Sequence, residues 1–245
     1  MRAVEGAGAA RCDEFQVAFV EGGDEVRRKL VHAQEVSFER ASAVRDFPSY
    51  RGQRNYPGLY YAATMDEHVG YESWLERDEA MALDFAVDVV GFASQPFWLF
   101  WSDGQRVRSH APDFFARLKD GTGVVIDCRP SERIRSRDAG AFEATEQACD
   151  SVGWQYRLVA AYDPTWLSNV RWLAGYRHDR FADEAVGARL CEVFADGASL
   201  MDGAAEVGDP IAVLPVLFHQ MWSHRLGTDL SQRLDAGAWA WDTAS

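Results

Sequence analysis

The sequence predicts an α/β fold, and three observations carry that expectation. Short apolar runs separated by turn signals lie between two helical stretches across the middle of the chain. A further strand-like run, Trp154–Tyr162, follows the second helical stretch. Helical patterns then dominate the C-terminal third, which ends in a segment able to form a small hairpin.

Taken in order, FQVAFV (Phe15–Val20) reads as a strand, and a second apolar-polar stretch covers Val31–Phe38 within an otherwise irregular region up to about residue 60. FPSYRGQRNYPG (Phe47–Gly58) is rich in Pro, Gly, Arg and Tyr and reads as a loop. From His68 to about Ala86 the periodicity is helical, with Trp74 and Met81 seven apart on one face. VDVVGF (Val87–Phe92), PFWLFW (Pro96–Trp101), PDFFARL (Pro112–Leu118) and GVVIDC (Gly123–Cys128) are strand candidates, punctuated by turns at Ser102–Gly104 and Lys119–Gly123. A helix is expected over Ala139–Ser151, ending at Gly153. Asp163-Pro164 has the cap-and-proline form of a helix start. Helices are expected over Asp183–Phe194, over Ser199–Val207 behind a serine cap, and from Asp209-Pro210 through Trp222. Helices followed by a small hairpin is the order of a winged helix. The expected domains are 1–60 (extension and loop), 61–180 (α/β core) and 181–245 (helical module).

With 245 residues, 47% of them hydrophobic, the chain can bury a sizeable core without staples. It has no apolar run of membrane-spanning length, so no membrane partner is expected, and its start lacks the apolar segment of a secretory signal. Cys12, Cys128, Cys149 and Cys191 are scattered, with no C-x-x-C pair, which excludes a zinc ribbon and points to a reducing bacterial cytoplasm. Cys128, Cys149 and Cys191 read as core thiols. The net charge of −13 argues against nucleic-acid binding through the whole surface but leaves room for a local basic strip. Candidates for it are Arg106, Arg108, Arg133, Arg135, Arg137, Arg171, Arg177 and Arg180, each of which reads equally as a solvated surface arginine. Only Lys29 and Lys119 are lysines.

The chemistry-bearing residues gather on one hairpin. Asp113 opens one strand and Asp127 lies near the end of the next, with the turn at Asp120-Gly121 about midway. Antiparallel pairing sets the two roughly opposite. Asp127 and Arg129 project from the same face. Two close carboxylates repel unless a cation neutralises them, and a hard divalent ion with oxygen ligands does so. The alternative is a surface hairpin with an Asp–Arg pair. Upstream, Glu72, Glu76 and Glu79 recur at i, i+4 and i+7, either as a solvated acidic face or as the helix that completes the constellation.

This order, glutamate helix, then P-D, then D-x-R, resembles the restriction-endonuclease-like PD-(D/E)xK superfamily. The longer stretches YESWLERDEAMALDF (Tyr71–Phe85), ASQPFWLFW (Ala93–Trp101), SHAPDFFARLKDGTGVVIDCRP (Ser109–Pro130) and GWQYRLV (Gly153–Val159) resemble the TnsA-like endonuclease subunit of heteromeric transposases. NVRWLAGYRHDR (Asn169–Arg180) and GDPIAVLPVLFHQMW (Gly208–Trp222) extend the likeness to about residues 47–225. The resemblance implies a restriction-endonuclease-like core, a mixed sheet flanked by helices, with a small helical, winged-helix-like module. It implies a metal-dependent DNA endonuclease that cuts at transposon 5′ ends, alongside an integrase-type transposase subunit and a regulatory ATPase. Glu76, Asp113 and Asp127 would hold Mg²⁺ or Mn²⁺, with the backbone carbonyl of Cys128 as a further ligand. The motif lysine falls on Arg129. Arginine donates to phosphate and balances charge but does not deprotonate water, because its pKa stays above about 12. A catalytically impaired adaptor that bridges transposase and regulator, and a stand-alone nuclease of the superfamily, are the competing readings.

Gln95, in Ser94-Gln95-Pro96, belongs to the family pattern and either orients the site or holds a turn. Arg51, Arg54 and the tyrosines of the Phe47–Gly58 loop either touch DNA or pack on the core. His219 and His224, five apart, do not have the spacing of a shared metal on one helix face and read as structural. The mostly apolar C-terminal module favours protein over DNA.

Overall fold

The computed structural model describes residues 15–45 and 56–244. Arg51, Arg54, Cys12 and most of the Phe47–Gly58 loop therefore lie outside the described residues. The protein is α/β, with mixed and antiparallel sheets plus helices. By internal contacts it divides into two compact units. One runs to Glu79 and resumes over Asp88–Ala160; the other takes Ala80–Val87 and the residues from Ala161 onward.

The first unit opens with β1 (Gln16–Glu21) and β2 (Asp24–Lys29), an antiparallel hairpin turning at Gly22-Gly23, both with positive φ. β2, DEVRRK, is charged and largely exposed, a strand without an apolar run to announce it. Val31–Phe38 forms tight 3₁₀ turns rather than extended structure. β3 (Gly58–Ala62) and β4 (Glu67–Tyr71) pair with each other, so the helix expected from His68 begins only at Trp74: α1 spans Trp74–Phe85. β5 (Val89–Ser94), β6 (Trp98–Ser102), β7 (Val107–His110), β8 (Phe114–Leu118) and β9 (Gly123–Cys128) follow. α2 (Ser136–Ser151) is the crossover that lets β10 (Gln155–Val159) run parallel to β9.

The two four-stranded sheets have the orders β2-β1-β6-β7 and β10-β9-β8-β5. In the second, β9 is antiparallel to β8 and parallel to β10, so the sheet is mixed. Every residue of β9 is buried, which explains its continuous apolar run. The core is aromatic. Phe38 meets Phe19, Phe97, Phe115 and Trp154 edge-on at 4.8–5.8 Å between ring centroids. That makes the turn around Phe38 part of the core despite its irregular backbone.

The second unit contains α3 (Pro164–Leu173), α4 (Glu184–Val193), β11 (Ala198–Ser199), α5 (Leu200–Val207), α6 (Pro210–Trp222), β12 (Leu226–Thr228) and β13 (Trp239–Asp242). The expected caps are in place: Asp163, Asp183, Ser199 and Asp209 each accept from a backbone N–H of the first turn. The strands form one sheet, β11-β13-β12. A Cβ on Gly203 would lie 2.3 Å from the buried Phe194 ring, so glycine is what lets α5 approach α4 so closely. Buried Asn169 donates to the carbonyls of Leu230 and Gln232 and accepts from Leu234 N–H, fixing the segment between β12 and β13. His219 bonds the Tyr176 carbonyl at 2.8 Å, and His224 bonds that of Phe85, contacts in keeping with structural histidines. No helix among the described residues is long and apolar enough to cross a membrane.

A candidate active site on the first unit

The β8–β9 register pairs Phe114 with Ile126, and the next pair outward in that register is Asp113 with Asp127. The hairpin thus sets the two carboxylates opposite each other at the open end of the sheet. Both line a cleft of about 640 Å³ together with Glu76, Cys128, Arg129 and His110. One neighbourhood therefore brings together Glu76, Asp113, Asp127, Cys128 and Arg129.

Each carboxylate is held differently. Asp113 accepts the Cys128 backbone N–H on Oδ2 at 2.7 Å. Its pKa is pushed well above the usual carboxylate range, first by burial, then by the nearby charges of Glu76 and Asp127; the Cys128 bond and Arg129 only partly offset this. Glu76 accepts from the Glu72 N–H at 2.7 Å and from the Ser73 hydroxyl at 2.8 Å, and burial still leaves its pKa raised. Asp127 is gripped from two strands, by His110 Nε2 of β7 at 2.8 Å and by the Tyr156 hydroxyl of β10 at 2.9 Å. That bond and the buried setting push the Tyr156 phenol far up, so it stays a donor, with burial the largest cause. Burial, helped by Asp113, likewise pushes the Cys128 thiol up and leaves it neutral.

Gln95 is buried in the left-handed region at φ 47°. Its N–H donates to the Asp113 carbonyl at 3.0 Å, continuing the β5–β8 ladder, and its carbonyl accepts from Val44. Among the described residues neither amide atom of its side chain has a hydrogen-bond partner. It contacts the site through the backbone and does not line the cleft. Arg129 is exposed, its N–H donating to the Val159 carbonyl at 2.8 Å.

Of the two readings of the acidic residues around α1, the structure favours the buried one over the solvated face. Glu76, Asp78 and Glu79 are all buried rather than solvated, and Glu79, with no exposed surface, pairs with Arg157 of β10. Glu72 precedes the helix and pairs with Arg45 at 2.8 Å.

No model of a known protein family matches the chain. A bifunctional enzyme IspD/IspF of Clavibacter michiganensis subsp. michiganensis (strain NCPPB 382) is 32% identical over 109 residues, which is 42% of this chain and 25% of that protein. The chain thus spans about a quarter of the length of that relative.

The donor chemistry of the cleft is that of a hard divalent cation, three carboxylates with Asp113 destabilised by the other two. Among the described residues no group of three or more His, Cys, Asp or Glu stands ready in metal-holding geometry, because the oxygens of Glu76 and Asp127 are turned to their hydrogen-bond partners. A carboxylate oxygen has lone pairs to spare beyond one hydrogen bond. His110, Tyr156, Ser73 and Arg45 are site residues that sequence reasoning missed. Ser73 alone has a local signal, the S-x-x-E spacing to Glu76 at a helix start; no spacing signals the others, and His110 and Tyr156 reach Asp127 across 17 and 29 residues. Of the expected basic strip, Arg106, Arg108, Arg133 and Arg135 are exposed on this unit, Arg133 in the cleft, while Arg108 is paired with Asp103. Arg171, Arg177 and Arg180 belong to the other unit.

Proposed function

We propose that the chain is a metal-dependent DNA endonuclease of the restriction-endonuclease-like superfamily, acting as the TnsA-like subunit of a heteromeric transposase at transposon 5′ ends. The observation that carries this reading is the convergence of Glu76, Asp113, Asp127 and Arg129 on one cleft at the open end of a mixed sheet. The C-terminal order helix, strand, two helices, hairpin, with β11 pairing to β13, supports a winged-helix module.

Asp113, Asp127 and Glu76 would hold Mg²⁺ or Mn²⁺, with the Cys128 carbonyl beside them. When bound, the ion supplies charge neutralisation at the scissile phosphate and a water of lowered pKa. The chain's own contribution is positioning. His110 and Tyr156 fix the Asp127 carboxylate, and Ser73 and the Glu72 N–H fix that of Glu76. Arg129, at the cleft wall, donates to phosphate oxygens and offsets developing charge. An integrase-type transposase and a regulatory ATPase would present the DNA, consistent with a net charge of −13.

One observation favours a second reading, an adaptor built on a dormant nuclease fold: Arg129 stands where catalysis would use a lysine. A cleavage assay on transposon-end DNA with Mg²⁺ or Mn²⁺, with and without the transposase, separates the two. Metal-dependent nicking by wild type that vanishes in Asp113→Ala supports the endonuclease. Cleavage gained only in Arg129→Lys supports the adaptor. Inactivity of all three proteins, with no metal uptake in calorimetry, overturns both.

A further inference from the structure

Two large aromatic side chains stand open in the carboxylate cleft. Tyr56 is 61% exposed and Trp74 is 50% exposed, whereas the aromatics that meet Phe38 in the core are buried. Their rings lie 5.7 Å apart and tilted by 31°. The Arg77 guanidinium sits over the indole at 4.4 Å. Trp74 is the first residue of α1, two before Glu76, so the helix fixes the ring relative to the carboxylate. Cations share the cleft: Arg45, Arg129 and Arg133 line it with the two rings.

We infer that Tyr56 and Trp74 form a stacking platform for an unpaired nucleobase next to the phosphate that is cut. This rests on the endonuclease reading and specifies its substrate as DNA with locally unpaired nucleotides. Aromatic faces combined with arginines are how proteins hold single strands, because every base has a π-face and every phosphate a charge. A base inside an intact duplex is stacked on its neighbours and offers no free face; it has to leave the stack first. Contact with Tyr56 and Arg77 holds the indole before DNA arrives, so little ordering entropy is lost on binding. The platform reads no sequence, which leaves site choice to other surfaces or partners.

The test compares two labelled DNAs, a fully paired transposon-end duplex and the same duplex with a short unpaired tail at the cleavage position. Binding is followed by fluorescence anisotropy in Ca²⁺ and cleavage in Mg²⁺. Wild type is expected to prefer the tailed DNA. Trp74→Ala is expected to lose about 5-fold or more of its affinity for the tailed DNA, and little for the paired one. Trp74→Phe should retain the preference, and Tyr56→Ala, on a residue outside the helix, should repeat the loss. Equal binding of both DNAs by wild type, with Trp74→Ala unchanged, overturns the platform and leaves the endonuclease standing. Loss of transposase association in Trp74→Ala with DNA binding intact overturns it in favour of a protein contact. Wild type that binds and cuts neither DNA, with or without the transposase, removes both proposals.

Discussion

Arg157 of β10 pairs with Glu79, a carboxylate on α1 with no exposed surface. The pair ties the first turns of α1 to the strand beside β9, so it sets where Glu76, one turn earlier, meets Asp113. Removing the arginine takes one charged partner away from a fully buried carboxylate. Arg157→Ala is therefore expected to cost about 1–3 kcal/mol, the lower part of that range reflecting the half-exposed guanidinium. Urea unfolding should show a lower midpoint with an unchanged slope, and Glu79→Gln should lose less than Arg157→Ala. An Arg157→Ala midpoint equal to wild type would make the pair ornamental.

Asp113 ties site chemistry to stability. Its folded pKa lies above its unfolded one, so its contribution to stability is complete at low pH. It is lost as pH rises from the usual carboxylate range through the raised folded value. At neutral pH without divalent metal, Asp113→Asn should melt higher than wild type, because the neutral amide keeps an oxygen for the Cys128 N–H and sheds the repulsion. The gap should close on acidification. A lower melting temperature for Asp113→Asn at neutral pH would contradict the origin assigned to the shift.

Gln95 carries two separable penalties, a left-handed backbone and a buried amide without partners among the described residues. Left-handed geometry costs a non-glycine residue about 1–2 kcal/mol. Gln95→Met should relieve the second, giving a protein at least as stable as wild type in thermal melts, whereas Gln95→Gly relieves the first but empties a buried site and should melt below Gln95→Met. Marked destabilisation by Gln95→Met would mean that the amide has a partner in solution.

Asn169 closes three backbone bonds at once. Asn169→Ala is expected to cost about 2–4 kcal/mol, since each abandoned buried group forfeits its hydrogen bond. Hydrogen exchange should quicken at Leu234 while β8 and β9 stay protected. Unchanged exchange at Leu234 would show that the segment holds without Asn169.

Much of this architecture was legible in the sequence because apolar runs and caps act locally. Asp163-Pro164, Ser199 and Asp209-Pro210 start helices where the residues say so, and Asp113 faces Asp127 because a hairpin turn fixes register. β2 and β4 were hidden, since one is a charged strand and the other sits in a stretch whose periodicity also suits a helix. The burial of Glu76 and Glu79 was hidden for a different reason. Their spacing describes a face, and only the strands packed against α1 decide whether that face meets water or Arg157. His110 and Tyr156 come to Asp127 through sheet topology, which no local motif encodes.

The sheet order β2-β1-β6-β7 has a consequence for how the chain is made. Ala18 of β1 pairs with Trp98 of β6, so the first hairpin leaves the ribosome with one edge unpaired and must wait until β6 has been synthesised. During that interval the apolar face of Val17 and Phe19 has no native cover, and the open edge can recruit other nascent chains. His110, on the last strand of that sheet, reaches Asp127 only once β9 exists as well. The cleft therefore cannot be complete before β9 has been made, and slowed synthesis between β2 and β6 is expected to lower the yield of competent protein without altering a single residue of the site.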